Sequence, residues 1–176
     1  MDIDQFIRKV PNWPKPGILF YDITTLLADP KVFAYVIDEL IRPFQNEKID
    51  KVVGIDARGF ILAGVVSYKL GAGVSLIRKK GKLPYQTLQE SYSYEYAAET
   101  VEMHEDAIKK GERVLIVDDL IATGGTLEAA TKLITRLGGE IVGIAAIIDL
   151  PSVGGSAKLK NYHLHTLINY QSEKVV

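Results

Sequence analysis

The chain contains no cysteine, which removes disulfide bridges, a thiol nucleophile and any cysteine-ligated metal from consideration. Histidine is scarce as well, with three in all; His163 and His165 share one face of an expected strand, and none of the three suggests a metal site. No charge of one sign dominates. The formal net charge is −1 with a pI near 6.3, and no basic amphipathic helix stands out, so neither nucleic acid nor a membrane surface is an expected partner. Any recognition of phosphate must then be local. No apolar run is long enough to span a bilayer, and Met1-Asp2-Ile3-Asp4-Gln5 has neither the basic start nor the apolar core of a secretory signal, which makes the cytoplasm the default expectation. Internal repeats and low-complexity segments are absent too. What remains, 176 residues that are 47% hydrophobic and 24% charged, fits one globular domain over residues 1–176 with a substantial core.

The most informative stretch is Val114-Leu115-Ile116-Val117-Asp118-Asp119-Leu120-Ile121-Ala122-Thr123-Gly124-Gly125-Thr126. Four β-branched or leucine residues before Asp118 predict a strand buried on both faces, as in a parallel sheet. Ligands of open α/β sheets bind at the carboxyl ends of such strands, so Asp118 and Asp119 are expected at the lip of a crevice, where carboxylates accept hydrogen bonds from sugar hydroxyls. Residues Ala122, Thr123, Gly124, Gly125 and Thr126 supply small side chains, two hydroxyls, close backbone approach and the start of a helix whose free N–H groups favour an anion. Acids beside a phosphate cradle suit a ligand that carries hydroxyls, phosphate and a bridging cation together. No lysine follows the glycines, so this is not a Walker loop, and no dinucleotide fingerprint occurs.

Around this motif the chain alternates. Lys51 to Ile55 is expected as strand, Phe60 to Leu70 as helix, Val74 to Ile77 as strand, Thr126 to Leu137 as helix, and Ile141 to Ile148 and His163 to Tyr170 as strands. Asp29-Pro30 signals the N-cap and first turn of a helix from about Lys31 to Ile41. This pattern predicts an α/β fold, a central, mainly parallel sheet flanked by helices. Ahead of it stand a short amphipathic piece from Ile3 to Val10, an irregular proline-rich arm in which Trp13 is expected to pack on the core, and the strand-like Ile18 to Ile23. These would form a small N-terminal hood. The polar, aromatic stretch from Lys79 to Ala97 interrupts the alternation, with a strand-like piece at Thr100 to Met103, and reads as a flexible lid loop of the kind that shields a group transfer from water.

Asp56-Ala57-Arg58-Gly59-Phe60 also ends a strand before a helix and is expected to face the same crevice. Arg58 suits bidentate pairing with pyrophosphate oxygens, and Gly59 allows the backbone to approach. Arg78, Lys79, Lys80 and Lys82 follow the next strand and would deliver further cations.

The long motif closely resembles the ribose phosphate site of the type I phosphoribosyltransferases. Pro16 to Ile23, Asp56 to Phe60, Leu76 to Pro84 and Ser91 to Tyr96 resemble, in order, the signatures of the adenine phosphoribosyltransferase family within that fold. The resemblance covers nearly the whole chain. It implies transfer of a 5-phosphoribosyl group from PRPP to adenine, giving AMP and pyrophosphate, with Mg2+ carried on PRPP and not in a protein cage. It also implies a homodimer. By position it implies that Asp118 and Asp119 hold the ribose hydroxyls, that Ala122 to Thr126 bind the 5-phosphate, and that Arg58, Gly59, Arg78, Lys79 and Lys82 address pyrophosphate. Phe20 would stack on adenine, the backbone of Leu19 to Tyr21 would read its Watson–Crick edge, and Leu150 would cover the other face. Glu95 is the residue expected in catalysis, either stabilising positive charge on the ribose ring or accepting the proton from N9. Two positions depart from the pattern: Tyr21 stands where many relatives carry Arg, and Asp149 where many carry Glu. The rival expectations are a 6-oxopurine phosphoribosyltransferase and a non-catalytic PRPP-sensing regulator. The regulator class usually adds a DNA-binding segment, and none precedes Pro11.

Overall fold

The computed structural model describes residues 1–93 and 98–171. A 3-10 turn at Ile3–Phe6 leads into a two-stranded antiparallel hairpin, β1 (Arg8–Pro11) and β2 (Leu19–Asp22). Two helices follow, α1 (Thr24–Ala28) and α2 (Pro30–Ile41). The Asp29 carboxylate caps α2 by accepting from the N–H groups of Lys31 and Val32, with Pro30 in the first turn where its missing N–H costs nothing. The alternating part then runs β3 (Lys51–Ile55), α3 (Arg58–Leu70), β4 (Gly73–Lys79), β5 (Thr87–Ser93), β6 (Ala98–His104), β7 (Arg113–Ile121), α4 (Gly125–Arg136), β8 (Glu140–Asp149), the short α5 (Gly155–Lys158) and β9 (Leu164–Asn169).

Seven strands form one sheet in the order β5-β6-β4-β3-β7-β8-β9. Neighbours from β4 through β9 are parallel, and the β5–β6 hairpin is added antiparallel at the β4 edge. Val52, Leu115, Val117 and Ala145 meet Val36, Leu40, Leu62 and Val66 of α2 and α3 in one apolar core. Val53, Val114, Ile116 and Ile144 meet Leu127, Ala130, Leu133 and Ile134 of α4 in the other. Central strands buried on both faces have no polar alternation, which is why Val114 to Val117 reads as an unbroken apolar run.

Three differences from the sequence expectations bear on the site. First, β7 continues through Asp118 and Asp119 to Ile121, because Leu120 and Ile121 still pair with Ile148 and Asp149 of β8. Its pairing with β3 stops at Val117, so the acids project beyond β3 even though they lie within a strand. Second, the hairpin excursion after β4 carries two paired strands where only Thr100 to Met103 was expected as strand, with Thr87 to Ser93 in register against His104 to Ala98. Third, Trp13 remains 51% exposed and meets the edge of Phe20, with ring centroids 4.4 Å apart, in place of joining the core.

Candidate active site

The C-terminal ends of β3, β4 and β7 converge with the N-termini of α3 and α4, the place where this topology puts a ligand. Residues 122–124 turn the chain from β7 into α4. Gly124 adopts φ +75°, a left-handed conformation that glycine accepts without a Cβ penalty. The turn walls a cavity of about 100 Å³ lined by Asp118, Ala122, Thr123, Gly124 and Thr126, among others. That volume accommodates a phosphate group, and the free N–H groups at the start of α4 face an anion favourably. A second cavity of about 60 Å³ is lined by Asp56, Arg78, Lys79, Tyr92, Glu99 and Thr126. The two share Thr126, so an anion cradle and a cation-bearing cleft lie side by side.

The turn is fixed by a residue outside the motif. The N–H of Gly155 donates to the Ala122 carbonyl at 2.9 Å, and a Cβ on Gly155 would stand 2.7 Å from the Gly124 nitrogen. Gly155→Ala is therefore expected to push the turn open and raise the KM for PRPP by about tenfold or more, as small displacements of positioning groups do. Steady-state kinetics at saturating adenine checks this; an unchanged KM would show that the contact does not set the turn.

Arg58 begins α3. Its Nε donates to Asp119 Oδ2, and its guanidinium lies 5.4 Å from the centroid of Phe20, a cation–π contact. The acid expected at the ribose and the ring expected to stack on adenine are thus bridged by one side chain. The close approach that Gly59 permits is to β7, since a Cβ there would come 2.9 Å from Asp118 Oδ1. Asp119 is buried. Removal from water, and then the neighbouring Asp119 charge, push the Asp118 carboxyl well above the usual carboxylate range, against the opposing pull of the Asp119 N–H and Arg58. A raised carboxyl favours the folded state below its ordinary pKa and loses that advantage as pH rises through the raised one. Asp118→Asn is therefore expected to raise the Tm of the ligand-free chain at pH 8 while weakening PRPP binding. The Tm difference should vanish as pH falls below the ordinary value of 3.8; a lower Tm at pH 8 would contradict the sign.

On the cation side, Arg78 Nε donates to Asp56 Oδ2 at 3.1 Å and its Nη1 to the Lys82 carbonyl at 3.2 Å. Lys79 meets Glu99 at 3.4 Å, while Lys82 is exposed and makes no ion pair among the described residues. Tyr92 is a contributor that sequence reasoning did not single out. Its hydroxyl accepts from Thr126 Oγ1 at 2.7 Å and donates to Glu99 at 2.8 Å, and its ring fills the space opposite Gly125. The only sequence signal was its place among alternating aromatics, which fits equally well with a packed strand. Glu95 and Tyr96 lie outside the described residues.

Of the expected base-binding residues, Leu19 and Phe20 are partly exposed, whereas Tyr21 and Leu150 are buried. Tyr21 stacks on Tyr170 with centroids 4.0 Å apart, and the Tyr170 hydroxyl donates to Asp4, so the Tyr21 side chain ties the hood to the end of β9.

A family pattern described as phosphoribosyl transferase domain matches residues 22–173. The adenine phosphoribosyltransferase of Bradyrhizobium sp. (strain ORS 278) is 56% identical over 160 residues, 91% of this chain and 89% of that protein. The chain belongs to the adenine phosphoribosyltransferase family. Among solved adenine phosphoribosyltransferases, that of Rhodothermus marinus DSM 4252 superposes with a TM-score of 0.92 at 51% identity, covering 96% of each chain. That of Giardia lamblia, complexed with 9-deazaadenine, gives a TM-score of 0.90 at 33% identity over 97% of each chain. The central sheet described above is therefore the type I phosphoribosyltransferase fold.

Proposed function

We propose that residues 1–176 act as one phosphoribosyltransferase domain that moves the 5-phosphoribosyl group of PRPP to adenine, releasing AMP and pyrophosphate. The observation that carries the reading is the pair of cavities meeting at Thr126, with Asp118 in the wall of the first. The 122–126 turn takes the 5-phosphate, the two carboxylates accept from the ribose hydroxyls, and Arg58, Gly59, Arg78, Lys79 and Lys82 address the pyrophosphate. Where Arg58 turns from Asp119 to pyrophosphate, the ribose hydroxyls replace it as hydrogen-bond donors to the buried acid. Glu95 faces the developing positive charge on the ribose ring or takes the proton from N9.

Base choice rests on β2. It pairs only with β1 among the described residues, which leaves a second edge of backbone N–H and C=O groups at Leu19 to Tyr21. Adenine donates from its 6-amino group and accepts at N1, whereas a 6-oxopurine reverses both, so one C=O and one N–H in adjacent positions distinguish them. Phe20 supplies the stacking face and Leu150 the opposite cover. A competition assay of adenine, hypoxanthine and guanine with PRPP tests this, with adenine alone consumed as the expected result. Preference for hypoxanthine would overturn the base assignment.

Magnesium fits as a passenger on PRPP. Asp118 offers the kind of oxygen that meets a hydrated Mg2+ through water. The ion supplies neutralisation of the departing pyrophosphate charge. We also propose a homodimer, because Ile61 and Tyr68 of α3 and Val74 and Leu76 of β4 expose apolar side chains, and a cytoplasmic location. No described helix is long and apolar enough to cross a membrane.

A further inference from the structure

Glu102 on β6 is 2% exposed and has no ion-pair partner among the described residues. Its Oε1 accepts from the N–H groups of Lys82 at 3.0 Å and Leu83 at 2.9 Å. Its Oε2 lies 3.3 Å from Thr87 Oγ1 and 3.4 Å from Gln89 Nε2. Burial pushes the carboxyl up, but the N–H groups of Leu83, Gly81 and Lys82 and the Thr87 hydroxyl outweigh it and hold Glu102 below the usual range. A buried carboxylate satisfied by backbone donors, with no ion pair among the described residues, is a fixed post around which a turn is wrapped.

The turn it holds is the one that carries Lys82. The Lys82 peptide is gripped from both sides, its N–H by Glu102 and its C=O by Arg78, which in turn is held by Asp56 at the end of β3. Glu102 also pairs across the strands with Arg78 on one side and Gln89 on the other. It therefore joins three pieces: the β4 edge, the 80–83 turn, and the paired strands β5 and β6. Had the turn been fixed through a salt bridge to Lys82, that ammonium would be neutralised before substrate arrived. Holding the backbone leaves the charge available.

We infer that Glu102 is a positioning residue for the pyrophosphate end of the site, setting the reach of Lys82 through its peptide and coupling that turn to the lid hairpin. This rests on the function proposed above. Glu102→Gln keeps the shape but replaces a charged acceptor with a neutral one in which only one terminal atom still accepts, so the turn is held more weakly while the 122–126 cradle is untouched. Calorimetric titration with magnesium PRPP and, separately, with AMP reads the difference, since AMP carries the 5-phosphate, ribose and base but no pyrophosphate. The expected result is a PRPP Kd weakened by about tenfold, an AMP Kd within about twofold, and an equally weakened product inhibition by pyrophosphate. Equal weakening of PRPP and AMP, or no change in either, overturns the inference. Should Glu102→Gln fail to fold, the Thr87→Val, Gln89→Met double variant removes only the Oε2 donors. A selective loss for PRPP of about threefold then supports the role, and no selectivity overturns it. Wild-type chain that binds no PRPP would sink the proposed function itself, an outcome visible before any variant is made.

Discussion

Glu95→Gln is expected to lower kcat by about 10²-fold or more, the ordinary worth of a positioned acid–base or charge-stabilising carboxylate, while the Kd for PRPP stays within about threefold. Displacing pyrophosphate from the anomeric carbon builds positive charge on the ribose ring, and glutamine offers a dipole where glutamate offers a charge. The chain on either side of Glu95 is well placed for this. Ser93 pairs with Ala98, and Tyr92 touches Thr126 in the first turn of α4. Single-turnover measurement separates chemistry from release. Near wild-type turnover would remove Glu95 from the mechanism, and a matched loss of PRPP binding would make it a binding residue.

The second large effect is at Asp119. Asp119→Asn is expected to raise the barrier read in kcat/KM for PRPP by about 1.5–3 kcal/mol, the range for hydrogen bonds to a charged group, which is a loss of about 10- to 140-fold. Two losses combine. The ribose hydroxyls lose a charged acceptor, and Arg58 loses the partner that holds it over Phe20 in the absence of substrate. Because Asp119 is 7% exposed, asparagine fills the same space and the fold should persist. A variant with wild-type kcat/KM for PRPP would show that the ribose is held elsewhere.

The layered fold was legible because the central strands are apolar on both faces and the helices keep one apolar stripe each, so Lys51 to Ile55 and Ile141 to Ile148 stand out unaided. The end of β7 was not. Adjacent aspartates look like a strand end, and only the pairing of Leu120 and Ile121 with β8 carries the strand past them. The acid pair and glycine turn stood out as a site because carboxylates at a strand end followed by a Gly-Gly helix start put acceptors and free N–H groups in one crevice, and the structure gathers Asp118, Thr123, Gly124 and Thr126 around one cavity. What escaped were contacts between residues far apart in the chain: Gly155 against the 122–124 turn, Arg58 against Asp119 and Phe20, and Glu102 within the 80–83 turn. A glycine following a strand, or a glutamate in a polar hairpin, has no local pattern that reveals what it will meet.

The account's central claim is a reaction, and product analysis reaches it most directly. Incubating the chain with adenine, PRPP and magnesium should yield AMP and pyrophosphate in equal amounts. PRPP bound without either product would mark a sensor in place of an enzyme and contradict the account.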